Sequence, residues 1–181
     1  MAPQTLDPEA WKMVMHRLAG ELRPGRQRRM TLIGGVAMAL GYRSRRTTTD
    51  ADAIIAPADA EEILAAAARI APDFQLDAGW LNQKAIEAGK ILAPRPETVV
   101  LETPTLVLEV PSCEAMLAMK LARGAGNSDL DDARLLLHDL RRRYADVEAL
   151  WTVLGGLVPV AQLANTRYNL LKQWEDLDES P

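Results

Sequence analysis

Asp50 and Asp52 stand one residue apart in Asp50-Ala51-Asp52-Ala53-Ile54-Ile55, a segment whose alternation predicts a strand. On a strand, side chains at i and i+2 point to one face, so the two carboxylates would present four oxygens side by side. Two anions that close repel each other, and a bound cation offsets the cost. The plainer alternative is a pair of surface acids at a strand edge, and this pattern alone is a weak signal. Upstream lies Gly34-Gly35, after the short apolar run Met30-Thr31-Leu32-Ile33 and before a predicted helix starting at Val36. Glycine there lets a ligand approach the backbone, and a helix N-terminus offers free amides to phosphate oxygens. A simple tight turn accounts for most glycine pairs. A strand, a diglycine and a helix followed by a strand bearing two spaced aspartates is a rarer combination.

Two further groups could join such a site. Lys120 sits among Met116, Leu117, Met119 and Leu121 on a mostly apolar helix. It either snorkels to the helix edge or supplies the cation that phosphoryl-type transfer needs. Asp129 and Asp132 are one helical turn apart and share a face with Ala133, Leu136 and Leu140. Asp129 could merely cap its helix. Asp132 lies beside the core-facing stripe, where an unpaired acid is expensive, so it requires a partner, and Lys120 fits that need. Arg43, Arg45 and Arg46 precede Asp50 and either contact phosphate or RNA, or form a solvated loop. Trp80-Leu81-Asn82 offers an aromatic and an amide to a nucleobase, though Trp80 reads better as core. His16, His138 and Cys113 read as structural, and Arg141-Arg142-Arg143 as cations favoured at a helix C-terminus.

In order along the chain, Ile33-Gly34-Gly35-Val36-Ala37-Met38-Ala39-Leu40 and Thr48-Thr49-Asp50-Ala51-Asp52 resemble the first motif of DNA-polymerase-beta-type nucleotidyltransferases. The chain is more specifically similar to the AbiEii-like branch, the toxins of type IV toxin–antitoxin systems and their relatives. Ser112 to Leu121, with Lys120 on a helix, and Asp129-Leu130-Asp131-Asp132 are similar to the later elements of that branch. The resemblance implies an enzyme moving an NMP from an NTP to an acceptor hydroxyl, on tRNA or other RNA or on a protein, in a toxin or defence setting. It implies Mg²⁺ or Mn²⁺ on Asp50 and Asp52. Lys120 and Asp132 would be catalytic with them, and Gly34, Gly35, Thr49, Arg46 and Asp129 would bind nucleotide. A cognate antitoxin is the implied protein partner. The chain departs from the pattern in the 14 residues between Gly35 and Asp50, a longer spacing than usual. No third carboxylate is obvious, Asp77 and Glu109 being the weak candidates. The alternatives are a non-catalytic nucleotide- or partner-binding descendant, and a transferase acting on aminoglycoside-type small molecules.

The elements that must position these residues are legible from pattern. Asp7-Pro8 opens a helix reaching Glu21, which Pro24-Gly25 ends. Strands are predicted at 30–33, 50–55, 99–102 and 106–110, the last two joined by a turn at Pro104. Helices are predicted over 36–40, 58–70, 112–123 with Ser112 as cap, 129–143, 145–154 and 158–174, with residues 74–81 ambiguous and 175–181 a frayed acidic tail. The expected class is α+β: a small mixed β-sheet nucleotidyltransferase core flanked by helices over 1–110, then a helical region over 111–181 packed on it, as two domains or one.

Composition bounds the rest. At 181 residues and 48% hydrophobic content the chain can bury a core of aliphatic helices. A net charge of −4 gives no global pull toward nucleic acid, so RNA contact needs a local basic patch. One cysteine excludes an intramolecular disulfide, and with two histidines it makes no typical zinc site, while hard oxygen-ligated cations remain open. No secretory signal and no apolar run of membrane-spanning length is present, and a cytoplasmic protein without membrane partners is expected.

Overall fold

The computed structural model describes residues 4–44, 47–83, 95–124 and 126–178. These fall into two compact units, one of residues up to 83 together with 95–111, the other of 112–178. The class is mixed α+β, with a helical C-terminal half.

The first unit opens with α1, Pro8–Glu21, where Asp7 caps the first turn by accepting from the Ala10 amide at 2.8 Å. Its apolar stripe buries Trp11, Val14, Met15 and Leu18. β1 runs Arg28–Ile33, two residues longer at its start than the apolar run suggests. α2 is Gly34–Gly41, β2 Ala51–Ile55 and α3 Pro57–Ile70. Asp50 therefore precedes its strand instead of beginning it. The ambiguous stretch 74–81 becomes the end of a 3-10 turn, Ala71–Phe74, and the approach to a two-residue strand β3, Leu81–Asn82. β4, Pro96–Glu102, and β5, Leu106–Pro111, form the expected hairpin, its turn held by the Thr103 hydroxyl oxygen accepting from the Leu106 amide at 2.9 Å.

Among the described residues the sheet has five strands in the order β3-β2-β1-β5-β4. β1 is parallel to β5 and antiparallel to β2, while β2 and β3 are parallel. Strand register assigns the faces, because residues directly opposite share one. Met30 opposes Ile55 and Leu108, Leu32 opposes Ala53, and Arg28 opposes Leu106. This is the helix-covered face. Buried Arg28 reaches Glu62 of α3 at 2.8 and 2.9 Å, and Gly41 of α2 lies against Val110. The opposite face carries Arg29, Thr31, Ile33, Asp52, Ile54 and Glu109, since Ile33 opposes Asp52 and Thr31 opposes both Ile54 and Glu109.

The second unit is helical. α4, Cys113–Arg123, is capped by Ser112, whose hydroxyl oxygen accepts from the Ala115 amide at 3.1 Å. α5 is Asn127–Leu140, starting two residues earlier and ending three earlier than the pattern indicates, so Arg141, Arg142 and Arg143 follow the helix instead of closing it. Asp146 caps α6, Val147–Leu154. The helix expected over 158–174 is corrected: two 3-10 turns, Gly155–Leu157 and Val160–Gln162, precede α7, Leu163–Asp178. Pro159, sitting between the turns, supplies no amide and biases Val158 to the extended backbone it shows. Residues 175–178 are helical, not frayed. No helix among the described residues is long and apolar enough to cross a membrane.

Candidate functional site

The diglycine and the aspartate pair meet in the first unit. Gly34 has φ +68°, a left-handed backbone that strains any residue with a Cβ. A Cβ placed there would also lie 3.1 Å from Asp52 Oδ2. The first glycine is thus explained by the close approach of the second aspartate. Gly35 is packed by Thr48, whose side-chain atoms would stand 3.3 Å from a Cβ. The Thr48 hydroxyl in turn lies 3.2 Å from Asp50 Oδ1 and 3.3 Å from the Asp50 carbonyl oxygen, and donates to them. Asp50 is exposed and Asp52 half-buried. Among the described residues no side chain caps α2, and its first residue, Gly34, lies against Asp52, at the end of the helix where negative charge is favoured.

The other nominated residues scatter. The contacts to Gly35 and Asp50 come from Thr48, not from Thr49, and nothing in composition distinguishes the two threonines beforehand. Arg45 and Arg46 lie outside the described residues. Glu109 shares the sheet face of Asp52 and is buried, but it is ion-paired with Arg29. Asp77 closes a turn by accepting from the Gly79 amide at 2.8 Å. Among the described residues no three His, Cys, Asp or Glu side chains gather as a metal cage. The donor set still suits Mg²⁺ or Mn²⁺: magnesium is commonly held by one or two carboxylates, the remaining ligands being water and substrate phosphate. Asp50 Oδ2 has no protein partner among the described residues, which leaves an oxygen for such an ion.

The second unit holds Lys120, Asp129 and Asp132, all buried. Lys120 Nζ lies 2.6 Å from Asp132 Oδ2 and 3.3 Å from Asp129 Oδ1, so Asp132 has the partner its burial demands. Asp129 does not cap α5, a place taken by Gly126. Its carboxylate accepts two hydrogen bonds from Arg123, each 2.6 Å, in the planar fork geometry that suits arginine. Arg123 is the member of the cluster that its sequence position did not mark out. Burial pushes the Asp129 carboxyl up, but the Arg123 hydrogen bonds and the Lys120 charge outweigh it and hold the group below the usual aspartate range.

Of the remaining candidates, Trp80 belongs to the core. Trp80 is buried against Trp11, ring centroids 5.5 Å apart, and its indole N–H donates to the Ala67 carbonyl at 2.9 Å, which rules out the nucleobase contact. Burial pushes the Cys113 thiol up to about 12, so no nucleophilic thiolate forms near neutral pH. His16 and His138 are exposed. Two clefts of the first unit, one of about 340 Å³ beside Glu62 and Arg69 and one of about 500 Å³ beside Leu22 and Thr105, include none of the diglycine or aspartate residues. No family model matches the chain, and no curated protein or solved structure matches it either.

Proposed function

We propose that the chain is a metal-dependent nucleotidyltransferase that transfers an NMP from an NTP to an acceptor hydroxyl on RNA or protein. The observation that supports this most is the single constellation of Gly34-Gly35, Thr48, Asp50 and Asp52 at the open start of α2. In this reading Asp50 and Asp52 hold Mg²⁺ or Mn²⁺, which when bound neutralises charge on the triphosphate. The backbone of Gly34 and Gly35 contacts phosphate oxygens. The acceptor hydroxyl oxygen attacks the α-phosphorus as its proton passes to water, the bond to the bridging oxygen breaks, and pyrophosphate leaves. Lys120 as the phosphate-neutralising cation, steadied by Asp132, belongs to the reading through its sequence resemblance.

A second reading is favoured by one feature. Among the described residues Lys120 and Arg123 are matched by Asp129 and Asp132, so the buried cation already has protein counter-charges. That is what a non-catalytic, partner-binding descendant would retain. Labelled NTPs incubated with the protein, Mg²⁺ and total RNA separate the two. Transfer to RNA or protein, lost by at least 100-fold in Asp50→Ala and Asp52→Ala while the fold persists, supports the enzyme. Absence of transfer to any acceptor, together with no metal-dependent NTP binding, rejects it. Label on aminoglycosides and not on RNA would reassign the acceptor to small molecules.

A further inference from the structure

We propose that Thr48 is a positioning residue of the metal site, setting the Asp50 carboxylate; this deepens the nucleotidyltransferase reading and rests on it. Three independent contacts converge on this residue. Its side chain lies against Gly35, where a Cβ would meet Cβ and Oγ1 at 3.3 Å and Cγ2 at 3.4 Å. Its backbone is clamped by Leu6 in an isolated antiparallel bridge, the Leu6 amide donating to the Thr48 carbonyl at 2.9 Å and the Thr48 amide to the Leu6 carbonyl at 3.2 Å. Its hydroxyl donates to Asp50. Buried Leu6 lies one residue before Asp7, which is fixed as the cap of α1, so the clamp is tied to the helical layer.

Asp50 itself needs this support. It is exposed and lies outside β2, so no strand register holds its backbone, unlike Asp52 opposite Ile33. An exposed carboxylate free to rotate would lose side-chain entropy on binding a cation. A hydroxyl 3.2 Å from Oδ1 narrows the rotamer choice in advance and leaves Oδ2 for the ion. Groups that orient a metal ligand in this way are worth about 10- to 100-fold in metal affinity. The absence of a Cβ at Gly35 is what lets Thr48 sit close enough, which gives the second glycine a purpose distinct from the first.

The test is Mn²⁺ binding, read by water-proton relaxation in the presence of ATP, GTP, CTP or UTP, on the full chain. Thr48→Val keeps the shape against Gly35 and removes the hydroxyl. The expected result is Mn²⁺ affinity about 10- to 100-fold weaker in T48V, near wild type in T48S, and a melting temperature little changed in both. Thr48→Ala loses the same hydroxyl and reads the same quantity if T48V folds poorly. Equal Mn²⁺ affinity in wild type and the folded hydroxyl-less variant overturns the role of Thr48 and leaves the function standing. No Mn²⁺ binding by wild type with any of the four nucleotides overturns the function, and the role of Thr48 with it.

Discussion

Asp129 is a carboxylate kept charged where almost no water reaches it, 1% exposed, by one bidentate arginine and one lysine. Because its folded-state pKa is lowered, its ion pairs stabilise the protein above the ordinary aspartate value of about 4. That contribution is lost as pH falls through the lowered folded value. Urea unfolding between pH 2 and 7 is therefore expected to show a steeper acid loss of stability in wild type than in Asp129→Asn, which has no carboxyl to titrate. At pH 7 the variant should be less stable by about 2–4 kcal/mol, since Arg123 and Lys120 lose a buried counter-charge; parallel acid limbs in the two proteins would contradict this. In this cluster the partner of Asp132 is legible in the sequence and that of Asp129 is not. A buried acid must find a cation, so Asp132 could be paired with Lys120 from pattern alone. Arg123 could not be assigned, because a helix C-terminal arginine has many uses, and only the tertiary structure brings its fork onto Asp129.

The element that organises the first unit's candidate site is the junction of β1 and α2, where each glycine answers a different neighbour. Gly34→Ala must hold a left-handed backbone and face Asp52 Oδ2 at 3.1 Å. The expected cost is about 1–2 kcal/mol, a fall in melting temperature of about 2–8 °C. Gly20→Ala, at an exposed position in the last turn of α1, has nothing within 4 Å and should be stabilising by up to about 0.5–1 kcal/mol. Thermal unfolding of the pair checks both signs, and a neutral Gly34→Ala would remove the backbone argument. Helix starts were legible where caps are local: Asp7 and Ser112 each accept an amide three residues on, while Asp146 does the same for a helix whose start the pattern places two residues early. The C-terminal helix was not, since apolar periodicity continues through 158–162 while Pro159 interrupts the backbone.

For the whole molecule, a net charge of −4 sets the background against which any polyanion must bind. Fluorescence anisotropy at 0.15 M salt is expected to show arbitrary duplex RNA bound no more tightly than the roughly 10⁻⁴–10⁻⁶ M of non-specific binding, with a shallow salt dependence. Nanomolar binding with a slope of many released ions would show that a basic surface dominates after all. The sequence by itself determined the class, the hairpin and most helix starts, because periodicity, capping and turn chemistry act within a few residues. Only the tertiary structure decided that Asp52 lies on Gly34, that Thr48 and not Thr49 reaches Asp50, that Glu109 is engaged by Arg29, and that Trp80 is spent on the core. Each of those depends on strand register or on contacts between residues far apart in the chain. A one-residue change of register exchanges the faces of a strand, and local preference carries no information about which register wins.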